Sequence, residues 1–557
     1  MEQKMTKTRF GRSALVIAMT VALVNCTSGP SEQELAAERQ ASKAAEKAEQ
    51  MKVKRERHVA AEMVRTLAVA DSRMAPIPAP VQPQYQDDFE QFDANPVKQV
   101  KDEPVSTFSA DVDTTSYSFV RKQLNRGYLP EKSAVRLEEM VNYFDYNYPF
   151  PTSANRPFLP TVVVHDSPWA EHRKLVHIGI QGYELEQSEQ PDSNLVFLLD
   201  VSGSMNAPDK LPLVKQSIKL LLKTLKPTDT IAIVVYAGAA GTVLEPTKVA
   251  QAATIIEALD KLKAGGSTAG GEGLQLAYQL AESNFDEQAV NRIMLATDGD
   301  FNVGLSDPEQ LTDFVERKRQ SGIYLSVIGF GRGNYKDALM QSLAQNGNGI
   351  AAYIDTLAEA QKLFVEEATS SLFPIAKDLK IQVEFNPAVV NEYRLLGYET
   401  RALQAEDFNN DKVDAGDIGS GHAVTAIYEV TLNGQPGSYL DESRYTSGNS
   451  GAANDALAEL GYLKIRYKLP GEETSQLLDQ PIMSAINATP AIMQEVNFAT
   501  AVAGFAQVMK DGKYTGQWSL DDAFNLALAN KGEDYYGYRG EFTQLIRQAK
   551  MAEEAEF

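Results

Sequence analysis

A chain of 557 residues is too long for one hydrophobic core and divides into three or so domains. Its 43% hydrophobic content is ample for globular structure. The 75 acidic and 53 basic residues leave a formal net charge of −22, which argues against nucleic acid as a partner and favours solubility in a charged compartment.

Lys4, Lys7, Arg9 and Arg12 precede the apolar run 14–24. This is a positive start and a hydrophobic segment shorter than the roughly 20 residues that span a bilayer. Leu23-Val-Asn-Cys26 then resembles the lipobox of bacterial lipoproteins, with Asn25 where Gly, Ala or Ser is usual. The resemblance implies a signal peptide over 1–25, lipid on Cys26 and attachment to the membrane. Thr27 rather than Asp after the cysteine implies the outer membrane, with the globular part periplasmic or surface-exposed. Cys26 is the sole cysteine, so no disulfide forms within the chain.

Residues 31–70 are rich in Ala, Glu, Lys, Gln and Arg without Pro or Gly, which predicts a solvated helical spacer or a weak coiled-coil seam. The stretch 75–84 carries four prolines and reads as an extended linker. Residues 26–105 are thus expected to be a tether, with order resuming near Ser106. Over 106–190, the aromatics of 134–149 read as core, and 158–165 and 174–181 as strands of a small sandwich. Asp111-Val-Asp-Thr-Thr115 fits the nucleophile motif of haloacid dehalogenase-type phosphatases. That chemistry needs a buried strand ahead of it, and residues 103–110 are mostly polar, so the enzyme reading is set aside.

The segment 191–372 alternates strand and helix. Asn194-Leu-Val-Phe-Leu-Leu-Asp200 is an unbroken apolar run, as in a strand buried on both faces of a parallel sheet. It ends in Asp200, with Ser202 and Ser204 following at two-residue spacing. Ligands on open α/β sheets collect at such strand ends. Thr268 lies in the glycine-rich loop 265–271, and Asp298 ends the buried-strand pattern 292–297. One carboxylate and two hydroxyls are hard oxygen donors, suited to Mg²⁺ or Mn²⁺. Further strands are predicted at 230–236, 324–330 and 351–355, an antiparallel member near 242–246, and helices between them. This is an α/β, doubly wound, mostly parallel arrangement. Gly329-Phe-Gly-Arg-Gly333 lacks the last glycine of a dinucleotide loop and reads as a tight turn.

These three loops resemble the von Willebrand factor type A domain and its metal-ion-dependent adhesion site, an Asp-x-Ser-x-Ser motif completed by a threonine and an aspartate. Asp200, Ser202, Ser204, Thr268 and Asp298 match all five positions. The stretches 107–117 and 134–149 resemble the region ahead of that domain in YfbK-type bacterial lipoproteins, a likeness covering roughly 100–557. The resemblance implies an ion completed by an acidic side chain from a protein partner.

Over 373–557 the pattern turns to strands at 379–385, 424–430 and 461–467, expected to pair with strands before residue 185 so that the type A domain is inserted in a sandwich. Asp407–Asp417 is calcium-loop-like in its first donors only and reads as a solvated acidic turn. A helical cap is predicted from Pro490 onward. The five histidines lie outside 191–372, and neither His-Glu-x-x-His nor Gly-x-Ser-x-Gly occurs. The expected function is therefore metal-dependent protein binding in the bacterial envelope by a non-enzyme. The alternatives are a passive structural lipoprotein and a metal-dependent hydrolase.

Overall fold

The computed structural model describes residue 89 and residues 91–266, 270–299, 308–331, 336–440, 459–484 and 488–555. The lipobox with Cys26, the charged stretch, the proline-rich linker, Thr268 and the end of the 329–333 turn lie outside them.

Folded structure begins earlier than residue 106. Phe89 is buried edge-on against Phe119, with ring centroids 4.5 Å apart. Asn95 donates its amide to Leu395 O and Gly397 O at 3.3 and 2.6 Å. Strand β1 (Lys98–Gln99) joins a sheet whose other members come much later. The polar, proline-flanked composition of this segment hides its role, because its partners lie some 300 residues downstream. Strand β2 (Val105–Ser109), helices α1 (Thr115–Asn125) and α2 (Leu137–Val141), and strands β3 (Phe158–Asp166) and β4 (Arg173–Gly182) follow.

The central unit holds β5 (Ser193–Asp200), α3 (Leu211–Leu221), β6 (Thr230–Tyr236), β7 (Ala240–Lys248), α4 (Ala252–Lys261), α5 (Gly270–Ser283), β8 (Val290–Thr297), α6 (Pro308–Arg319), β9 (Ile323–Phe330), α7 (Asp337–Asn346), β10 (Ala351–Ile354), α8 (Leu357–Gln361) and α9 (Ala368–Leu372). A π-helical turn, Lys362–Glu366, separates the last two. The sheet runs β10-β9-β8-β5-β6-β7, parallel except for β7 against β6. Successive residues of β5 enter different cores. Phe197 and Leu199 pack under one face, Val196 and Leu198 under the other. That two-sided burial is why the strand reads as an unbroken apolar run.

Strands β11 (Pro374–Phe385), β12 (Val390–Leu396), β13 (Gly416–Gly419), β14 (Ala423–Leu432), β15 (Glu459–Lys468) and β16 (Gln476–Met483) close a sandwich around the chain's earlier strands. One sheet is β1-β12-β14-β4-β3; the other is β13-β11-β15-β16, with β2 also on β11. Thus β4, ahead of the central unit, pairs with β14 behind it, and β2 pairs with β11. The central unit is inserted in this sandwich, as the strand patterns predicted.

Helices α10 (Pro490–Lys510), α11 (Leu520–Ala529) and α12 (Tyr538–Ala555) join α1 and α2 as a cap over the outer face of the first sheet. Along β14, Ala426 and Tyr428 face the sandwich core while Ile427 faces the cap, the alternation a strand imposes. Tyr143, Phe144, Tyr146 and Tyr148 are buried in the cap, so the aromatic stretch is core.

His177 on β4 is fully buried on that face, its Nε2 2.7 Å from the Tyr148 hydroxyl. Burial pushes its pKa down to about 3. The folded state therefore holds His177 neutral, whereas the unfolded chain protonates it near 6.5. Its contribution to stability is fully present above about pH 6.5 and is lost as pH falls toward 3, by up to about 1.4 kcal/mol per pH unit. Replacing His177 by Gln is expected to flatten the stability profile in that window, measured by denaturant unfolding at pH 4.5 and 7.5. An unchanged slope would show that His177 is not the group responsible.

Asp407–Asp417 is an exposed to half-exposed acidic segment, as expected, and its acids are paired with neighbours. Asp411 accepts from Ser475 Oγ at 2.6 Å and pairs with Arg466 at 3.3 Å. Asp414 reaches Arg319 of the central unit at 2.7 Å. Asp407 accepts from the Gln404 N–H. The acids point to separate partners, and among the described residues no group of three or more His, Cys, Asp or Glu side chains is placed to hold an ion.

Candidate metal centre

Asp200 is the last residue of β5 and has no exposed surface. One carboxylate oxygen, Oδ1, accepts from the Ser202 N–H at 2.8 Å. The other, Oδ2, is buried without a hydrogen bond of good geometry among the described residues. The Tyr236 phenol lies close to this carboxylate, and a buried oxygen without a well-formed hydrogen bond is costly unless a cation meets it. The chain then turns through a short 3-10 segment, Gly203–Asn206, which brings the Ser202 and Ser204 hydroxyls to 2.9 Å of each other. Ser202 is buried and Ser204 exposed, so the cluster has an inner wall and an open side.

Two hydrogen bonds tie the second loop to the first. Gly203 N–H donates to Gly266 O at 3.1 Å, and Gly265 N–H to Val201 O at 2.7 Å. Gly266 has φ +97°, a conformation that suits glycine. The loop leading to Thr268 thus lies against the Asp200–Ser204 turn, while Thr268 itself is outside the described residues. Asp298 follows β8, is 3% exposed, and helps raise the pKa of Asp200. Burial is the larger cause, and together they push Asp200 up to about 6. Tyr236, at the end of the neighbouring β6, is buried beside both acids, and burial and the Asp200 carboxylate push its phenol up.

The structure adds a residue that the sequence reading did not single out. Lys210 is buried, and its Nζ donates to Asp298 Oδ2 at 2.7 Å. It precedes α3, where a cation opposes the helix dipole, and that mismatch is the signal that could have flagged it. Lys210 neutralises Asp298, and it would repel a cation bound beside that carboxylate. A unit charge a few ångströms from a divalent ion costs on the order of 1 kcal/mol or more even with strong screening. Lys210→Met is therefore expected to tighten Mg²⁺ or Mn²⁺ binding by about tenfold while lowering the melting temperature of the metal-free protein. Titration calorimetry reads the first and scanning calorimetry the second. Weaker ion binding in the variant would show that Lys210 supports the ion instead.

The donor set fits a hard divalent ion: a buried carboxylate, two hydroxyls in contact and a second carboxylate close by. The nearest histidines in sequence, His165, His172 and His177, belong to or flank sandwich strands, outside the loops that form this centre.

A doubly wound sheet with an Asp-x-Ser-x-Ser turn at the carboxyl end of its central strand defines a von Willebrand factor type A domain protein. The model of that domain matches residues 194–366, a von Willebrand factor model matches 83–177, and a YfbK C-terminal model matches 370–552. The chain is 47% identical over 467 residues to the YfbK protein of Escherichia coli (strain K12), covering 83% of this chain and 80% of that one. The chain belongs to the YfbK family. It is also 25% identical over 280 residues to human inter-alpha-trypsin inhibitor heavy chain H3, covering 46% of this chain and 30% of that one. Among solved structures, a von Willebrand factor type A protein from Catenulispora acidiphila aligns over 72% of this chain and 91% of that one, with 17% identity and a TM-score of 0.39. Type A domains typically mediate protein–protein interactions and commonly bind a divalent metal.

Proposed function

We propose that this protein is a membrane-anchored, divalent-metal-dependent protein-binding component of the bacterial envelope. The ion, Mg²⁺ or Mn²⁺, is held by Asp200, Ser202, Ser204, Thr268 and Asp298, and a carboxylate from a protein partner completes its coordination. The observation that carries this reading is the buried Asp200 carboxylate, one oxygen of which lacks a hydrogen bond of good geometry, beside two seryl hydroxyls in mutual contact. Two carboxylates balance the ion's charge, so a partner Asp or Glu meets an electrophilic position, and a charged contact of this kind is strong and central. Lipid on Cys26 would hold the chain at the membrane, and the charged and proline-rich stretches would carry the globular part away from it.

The protein is proposed not to be an enzyme. Hydrolysis at a metal needs a base or nucleophile beside it. Lys210 is the basic side chain on Asp298, and it is held as a salt bridge.

Affinity capture from envelope extract, with Mg²⁺, with EDTA, and with the Asp200→Ala variant, tests the reading. Prey present with Mg²⁺ and lost in the other two arms is expected. The same prey in all three arms would overturn the metal-dependent binding reading.

A further inference from the structure

The loop 530–537, between α11 and α12 of the cap, carries a pair of unburied tyrosines. Tyr535 and Tyr536 are 85% and 62% exposed, the highest values of any large apolar side chain among the described residues. The loop that presents them is pinned. Asp534 Oδ1 and Oδ2 accept from the Arg539 and Gly540 N–H groups at 3.1 and 2.7 Å, at the entry to α12. Gly532 and Gly537 turn the backbone with φ +65° and +84°. The rings stand among carboxylates. Tyr535 OH donates to Glu533 Oε2 at 2.6 Å. Tyr536 lies 5.9 Å, centroid to centroid, from Tyr538, whose OH donates to Glu366 Oε2 at 2.9 Å. The surface thus runs from the cap onto the π-helical turn of the type A domain. Glu533 is exposed and forms no ion pair among the described residues. The cations nearby are engaged: Lys531 with Asp534 at 3.7 Å, Arg539 with Glu495, and Lys362, beside Glu366, with Glu367.

Tyrosine offers a large contact area at a low cost in conformational entropy, and it is enriched among the residues that carry interface energy. Its ring attracts a cation to its face, and a guanidinium both stacks on such a ring and grips a carboxylate. We propose that the 533–538 loop, with Glu366 beside it, docks an arginine-bearing basic segment of another protein. Charge decides among the occupants. Nucleic acid and anionic lipid would meet Glu533 and Glu366, and a second copy would bring another chain of net charge −22. None of these residues belongs to the loops of the metal centre, so docking needs no ion.

Fluorescence anisotropy of the full chain with labelled oligoarginine, oligolysine and oligoglutamate peptides tests the proposal. Oligoarginine is expected to bind severalfold more tightly than oligolysine, and oligoglutamate not to bind. Removing both rings, Tyr535→Ser with Tyr536→Ser, is expected to cost about tenfold or more in affinity. Tyr535→Phe with Tyr536→Phe keeps the rings and should stay within about threefold of the unaltered chain. Glu533→Gln is expected to cost about threefold. Glu473→Gln, the same change of charge on the exposed β15–β16 turn, should cost less than about twofold. All these side chains are exposed, so an unchanged melting temperature serves as the control for folding. Equal losses in the serine pair and in Glu473→Gln would mean diffuse attraction to an acidic chain and would overturn the proposal. So would oligolysine binding as tightly as oligoarginine. Self-association of the unaltered chain, abolished in the serine pair, would assign the surface to a second copy instead.

Discussion

Asp200→Ala is expected to reduce Mg²⁺ or Mn²⁺ affinity by more than about 100-fold, beyond the 10–100-fold that loss of an outer partner of a metal ligand costs. Asp200 is fully buried, its Oδ1 is held by the Ser202 N–H, and its carboxylate lies beside the Tyr236 phenol at the open end of the sheet. Stability without metal should move little or even rise, because the variant removes a buried carboxylate that lies close to Asp298. An ion that binds only the folded state stabilises it by about 2.7 kcal/mol at 100 times its Kd. The unaltered chain should therefore melt higher in millimolar Mg²⁺ than in EDTA, and Asp200→Ala should melt alike in both. Asp200→Asn keeps the hydrogen bond from Ser202 and should behave like the alanine variant toward metal. Retention of the Mg²⁺-induced rise in Asp200→Ala would place the ion elsewhere. A variant that loses the rise but still captures the same prey would separate ion binding from partner binding.

The second large effect concerns how the type A domain is held in its frame. Arg121 of α1 is 3% exposed and reaches 234 residues along the chain to Asp355, at the end of β10, and on to Glu359 of α8. Its Nη2 meets Glu359 Oε2 at 2.8 Å, and Tyr143 OH donates to the same oxygen at 2.8 Å. Its Nε is 3.3 Å from Glu541 of α12. One guanidinium therefore joins the cap, the end of the type A sheet and its last helices. Arg121→Met would leave Asp355 and Glu359 largely buried without their cation, and removing one partner of a buried pair costs about 3–5 kcal/mol. Arg121→Lys keeps the charge but loses the planar fork, so a smaller loss is expected. Adding Asp355→Asn and Glu359→Gln to Arg121→Met should recover part of the loss, because the orphaned charges are then gone. Denaturant unfolding reads all of these. A change within about 0.5 kcal/mol for Arg121→Met would mean that this network does not hold the domain.

The central sheet was legible because each buried strand enters two cores at once and so shows as a run of apolar residues ending at a polar turn. Asp200, Ser202 and Ser204 were legible for a related reason: three oxygen donors close in sequence have no packing role at the mouth of such a strand. The glycine-rich loop was readable too, and the bonds from Gly203 to Gly266 and Gly265 to Val201 show what draws it to the first loop. Lys210 was harder, since a lysine ahead of a helix looks solvated until its Asp298 partner is seen.

Local pattern, with its periods of two and 3.6 residues, by itself determined the kinds of element, their order and which oxygen-bearing residues stand at the ends of β5 and β8. The closure of a sandwich around an inserted domain was foreshadowed only by unpaired strand patterns on either side. Tertiary structure alone decided which buried charges find partners. Asp111 and Asp113 meet Arg401 some 290 residues away, and Arg121 meets Asp355. A charge carries no periodic signature of its neighbour, because Coulomb attraction depends on distance in space and on burial, and both are known only once the chain has folded.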